Sequence, residues 1–161
     1  NPLVGGMTTR ANAALFDMNR VFESYVAWWL KRQYPDWSIQ TQVKDQALGQ
    51  VGERTAFALR PDLLIRLPSG EIIVADTKWK RLKAEKAPTY DISNSDVYQM
   101  LAYHQVFQTQ QARARLWLIY PDLPMLEANR IPITLPLGQY LSIKTINLDQ
   151  GNFEAKFFEL G

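Results

Sequence analysis

Apolar residues recur every three or four positions at Leu15, Met18, Phe22, Val26 and Trp29, which predicts an amphipathic helix over residues 14–32. Lys31 and Arg32 suit the negative end of its dipole, and Pro35 stops it. The period then changes to two. Ile39, Thr41 and Val43 alternate with Gln40, Gln42 and Lys44, predicting a strand over residues 38–44. Residues 56–66 and 71–80 read as a strand pair joined by Leu67-Pro68-Ser69-Gly70, a good hairpin connection. In the second member, EIIVADTKWK, Ile72, Val74, Asp76, Lys78 and Lys80 share one face, and Ile73, Ala75, Thr77 and Trp79 the other. Helical spacing returns over residues 94–109, with Ser93 as its cap and Asp96 completing a short capping box. RLWLIY at residues 115–120 is a buried strand, and residues 131–135, 141–148 and 152–160 are further extended pieces. The order predicts an α/β fold, with a mixed central sheet flanked by helices.

Composition narrows what such a fold can do. The chain has 161 residues, 47% of them apolar, which suits one domain with a real core over 1–161. There is no cysteine, so disulfides, thiolate metal sites and cysteine nucleophiles are excluded. A single histidine, His104, removes His-rich metal sites and reads as a packed helix residue. Chemistry must run on carboxylates, lysines and hydroxyls, and no organic cofactor is expected. Eighteen basic against 16 acidic residues leave a net charge of +2, so any nucleic-acid partner must be argued from charge distribution. No segment is long and apolar enough for a bilayer, and the start lacks a signal-peptide layout. The absence of an initiator methionine suggests the C-terminal part of a longer chain.

The chemistry concentrates around Pro61-Asp62 and Asp76-Thr77-Lys78. Asp76 and Lys78 are two apart on a strand and leave from one face, and the hairpin partner brings Asp62 alongside. Burying such charges together is costly unless a cation or ligand completes the set. Two carboxylates and an ammonium make a hard-oxygen Mg²⁺ site, for which Mn²⁺ would substitute, with a lysine to hold or polarise water. Zinc is a poor candidate, since no sulfur or nitrogen ligand is offered beyond His104. Glu23 lies beside the apolar stripe of the first helix, either at a solvent margin or facing the site. In the later helix Asp96, Gln99 and Tyr103 share one sector. KWKRLKAEK continues the acid-bearing strand, placing Lys80, Arg81, Lys83 and Lys86 as candidate phosphate contacts. Trp79 points away from Lys78 and reads as a packing residue.

LRPDLLIR followed by IIVADTKWK resembles the PD-(D/E)xK nuclease core. With LFDMNRVFESYV before it and DVYQMLAYHQVF after it, the chain resembles the nuclease domain of the McrC subunit of McrBC-type modification-dependent restriction systems. The resemblance spans roughly residues 10–121, with a core at about 12–121 and peripheral strands over 130–160. It implies that Asp62 and Asp76 bind metal, that Lys78 is the catalytic lysine, that Glu23 is the first-helix acid of the metal site, and that Gln99 is the glutamine of the later helix. It further implies Mg²⁺-dependent DNA cleavage leaving a 5′-phosphate and 3′-hydroxyl, a GTP-hydrolysing AAA+ McrB-like partner, and a prokaryotic, cytoplasmic role in antiviral defence. Double-strand cleavage needs two sites, by dimerisation or by converging complexes. Two other readings share some of these residues: a PD-(D/E)xK repair nuclease or junction resolvase, and a noncatalytic scaffold that activates an AAA+ partner.

Overall fold

The computed structural model describes residues 17–109, 113–121, 132–146 and 148. Helix α1 (Met18–Gln33) starts where the Asp17 carboxylate accepts the Asn19 amide at 3.1 Å, and it ends in Lys31 and Arg32. Strands β1 (Ser38–Thr41), β2 (Gln46–Val51), β3 (Arg54–Leu59), β4 (Leu63–Arg66) and β5 (Ile72–Thr77) follow. Helix α2 (Asn94–Phe107) crosses to β6 (Ala114–Pro121), and β7 (Pro132–Leu135) and β8 (Gln139–Ile146) complete the described elements. Six strands form one mixed sheet in the order β1-β4-β5-β6-β8-β7, parallel at β5–β6 and β6–β8 and antiparallel elsewhere. β2 and β3 form a separate hairpin.

The helices cover opposite faces of the sheet. Phe22, Val26, Trp29 and Leu30 of α1 bury against Leu63, Ile65, Ile73, Ala75, Trp117 and Ile119. Met100, Tyr103 and Phe107 of α2 bury against Leu64, Val74, Leu116, Leu118 and Tyr120. The alternation along β5 explains this division, because successive side chains enter opposite layers. β5 is central and therefore apolar on both faces until it reaches Asp76. Gly70, at φ +89°, closes the β4–β5 turn by donating its amide to the Leu67 carbonyl at 2.9 Å.

Several expected elements are corrected. The single strand expected over 56–66 is two strands in different sheets, because Pro61 offers no ladder donor and the chain turns at Asp62 to enter the main sheet. The strand expected to reach residue 80 stops at Thr77, whose amide is taken by the Asp62 side chain. The strand expected over 38–44 ends at Thr41, and β2 is an element the alternation did not reveal. Met18, expected in the packed stripe, is 39% exposed. The expected helix start at 14–16 and the strand over 152–160 lie outside the described residues.

Candidate functional site

One step beyond the β4–β5 pair Leu63↔Ala75, the register places Asp62 across from Asp76. The Asp62 carboxylate oxygen Oδ2 accepts both the Thr77 amide and the Thr77 hydroxyl, each at 2.7 Å. This double clamp fixes the chain as it enters β4 against the end of β5. Asp76 is the most deeply buried charged group described, at 3% exposure. Lys78 has left the strand but keeps its place, since its amide donates to the Ile119 carbonyl of β6 at 2.9 Å. Its Nζ lies 2.6 Å from Asp76 Oδ2.

Helix α2 supplies the rest of this network. Lys78 Nζ donates to Gln99 Oε1 at 3.0 Å and pairs with Asp96 Oδ1 at 3.3 Å. Gln99 Nε2 donates to the Tyr103 hydroxyl at 2.7 Å, which in turn donates to Asp76 Oδ1 at 3.3 Å. Asp76, Lys78, Gln99 and Tyr103 therefore close a ring of hydrogen bonds, and each member orients the next. The α2 cap explains the alignment. The Ser93 hydroxyl accepts the Asp96 amide at 3.1 Å, setting the first turn so that Asp96 reaches the lysine.

Helix α1 brings the last carboxylate from the other face. Phe22 is buried and packs against Trp79 with ring centroids 5.5 Å apart, locking α1 beside the segment that follows β5. Glu23 is half-buried next to it. Burial, then the negative charges of Asp62 and Asp76, raise its proton affinity, while Arg20 opposes them. Asp76 is pushed up to about 6, chiefly by burial and then by Asp62, against the opposing pull of Lys78. Burial disfavours charge on Lys78, but Asp76 and Asp96 outweigh it and hold the ammonium above its ordinary range. Three acids thus share one electrostatic field at the end of β5.

The donor set, carboxylates beside a lysine, suits a hard cation such as Mg²⁺. Asp62 and Asp76 raise the proton affinity of Glu23, and Asp62 raises that of Asp76 even though Asp76 is paired with Lys78; a cation would relieve that repulsion. Among the described residues, however, no group of three or more His, Asp or Glu side chains is gathered closely enough to hold a metal ion. The acids share a field without forming a closed ligand set. Asp62 spends one oxygen on Thr77, and Asp76 has contacts at both oxygens.

All five expected site residues, Glu23, Asp62, Asp76, Lys78 and Gln99, come to this end of the sheet. The basic residues expected at phosphates lie on the segment that follows β5. Lys80, Lys83 and Lys86 converge on Asp91, and Arg81 is exposed. Sequence reasoning placed Asp96 and Tyr103 on the correct helical sector but gave them no part in the site. Tyr120 was missed altogether. Its hydroxyl is buried, has no hydrogen-bond partner among the described residues, and holds its proton tightly through burial and the charges of Asp96 and Asp76. A tyrosine inside a buried strand gives no sign of this in the sequence.

No curated protein matches the chain. Among solved structures, a match is the half-complex from a tetradecameric assembly of Thermococcus gammatolerans McrB AAA+ hexamers with bound McrC, at 15% identity and TM-score 0.62. The alignment covers 81% of this chain and 28% of that one, so this chain spans well under half of the matched chain's length. At that identity the likeness is one of fold. The family described as McrBC 5-methylcytosine restriction system component matches residues 1–121, three quarters of the sequence. The chain therefore belongs to the McrBC restriction system component family.

Proposed function

We propose that this chain is the cleavage domain of a McrBC-type restriction complex, a PD-(D/E)xK-type site that hydrolyses DNA phosphodiester bonds with Mg²⁺. The observation that carries this reading is the meeting of Asp62, Asp76, Glu23 and Lys78 at one strand end, with the lysine 2.6 Å from a buried aspartate. Asp62 and Asp76, at facing register positions, would hold the ion, with Glu23 in the same electrostatic field, and the ion would supply Lewis-acid stabilisation of charge on phosphate oxygens. Lys78 stays protonated, so its part is to orient water or a phosphate oxygen and to offset developing negative charge. Gln99 and Tyr103 fix the lysine and Asp76 in register. Contact with DNA would run through the backbone, leaving recognition of the modified base to other parts of the complex.

The second reading is a scaffold that activates an AAA+ partner without cutting. The comparisons back this assembly role more directly than they back the chemistry, since the matched structure contains AAA+ hexamers with bound McrC. Both readings include a McrB-like GTP-hydrolysing partner. The separating experiment assembles the full-length subunit with that partner, GTP, Mg²⁺ and methylated DNA, and compares Asp76→Ala with the parent. The nuclease reading expects cleavage to fall by about a thousandfold or more with GTP hydrolysis retained. Undiminished cleavage would remove Asp76 from the chemistry. Loss of stimulated GTP hydrolysis would instead place the site in the scaffold role.

A further inference from the structure

Residues 78–93 leave the end of β5 and return to the cap of α2, so both ends of this segment are pinned near Lys78. It is folded rather than splayed. Leu82 is buried, and Tyr90 and Ile92 pack against the same core. The Lys83 amide donates to the Tyr90 carbonyl at 3.0 Å, and the Tyr90 amide to the Lys86 carbonyl at 3.0 Å. Within this frame three ammonium groups converge on one carboxylate. Asp91 pairs with Lys86 at 2.8 Å, with Lys83 at 3.1 Å and with Lys80 at 3.9 Å, and Lys80 also donates to the Asp91 carbonyl.

The backbone that presents Asp91 is strained. Tyr90 has φ +53° and Asp91 φ +68°, two successive non-glycine residues in the left-handed region. A surface ion pair contributes little to stability, so stability alone is a weak reason to hold this conformation. Three lysines arranged around one anionic group also have the composition of a phosphate cradle. Their side chains are 39–50% exposed, so they can exchange partners.

We propose that Asp91 is an internal stand-in for phosphate: it occupies a site formed by Lys80, Lys83 and Lys86 that takes a DNA backbone phosphate when the duplex reaches the strand end. The inference rests on the DNA-directed reading above and adds to it a competing anion built into the same chain. Asp91 weakens non-productive binding of the lysines to polyanions, and a bound phosphate must displace it.

The test is fluorescence anisotropy of a short duplex against the 161-residue chain in EDTA over a range of salt concentrations. Asp91→Asn should tighten binding about threefold or more and steepen the log–log salt dependence by about 1–2, as freed lysines reach phosphates. Asp36→Asn, an exposed acid between α1 and β1 with the same change in net charge, should leave the slope as in the parent. Lys83→Gln should cancel most of the gain in the Asp91→Asn background. In the unaltered chain, which requires no variant to fold, adding duplex should shift the Asp91 carboxyl resonance. Equal slopes for the two aspartate variants, an unmoved Asp91 resonance, or no DNA binding by any form would overturn the inference. Because EDTA removes any need for cleavage, a chain that never cuts but shows the slope change would retain this inference and lose the nuclease reading.

Discussion

At the scale of single residues, burial and charge conflict at Asp76. Its carboxyl rises from the ordinary 3.8 to about 6 because burial and Asp62 disfavour its charge more than Lys78 relieves it. The folded form therefore holds a proton more tightly than the unfolded chain does. Between roughly pH 4 and 6 the folded state binds more protons, so stability falls as pH rises, and the full penalty is present above the folded value. Asp76→Asn should consequently stabilise the domain at pH 8, by at most about 3 kcal/mol, and give no comparable gain at pH 4. Thermal melts at the two pH values check this. An equal change in melting temperature at both would contradict the assigned cause.

At the scale of elements, the site depends on how α1 is docked. Phe22 is buried between the sheet face and Trp79 and carries Glu23 beside it toward Asp62 and Asp76. Phe22→Ala should destabilise the domain by about 3–5 kcal/mol through the cavity it leaves, measurable by urea denaturation, and should also release the constraint on Glu23. A loss below about 1 kcal/mol would show that α1 is held elsewhere. The central elements were legible because their patterns are strong. α1 and α2 carried three-and-four spacing, and β5 alternated between layers, which placed Asp76 and Lys78 on one side. The break at residues 60–62 was not legible. Pro61 marks it, but the sequence does not say that Asp62 ends one strand's neighbourhood by capping another strand's Thr77. The hairpin β2–β3 was hidden because QALGQV mixes polar residues and glycine without a face, as suits a strand largely open to solvent. The convergence of Lys80, Lys83 and Lys86 was equally invisible, since it depends on left-handed residues at 90 and 91.

At the scale of the whole molecule, the sheet acts as a platform that meets two helices from opposite faces at one edge of β5. α1 contributes Glu23, β4 and β5 contribute Asp62 and Asp76, and α2 holds Lys78 through Asp96 and Gln99. Among the described residues, no helix is long and apolar enough to cross a membrane. The acids at the strand end are close enough to repel one another, yet they do not form a completed ligand set among the described residues. The central claim is that a divalent cation resolves this repulsion when nucleic acid is present. A calorimetric Mn²⁺ titration of the chain with a non-cleavable duplex, run beside Asp76→Ala and Asp62→Asn, tests it most directly. The account predicts a binding event in the parent that both substitutions abolish. The same binding isotherm in all three proteins, or none in any, would contradict it.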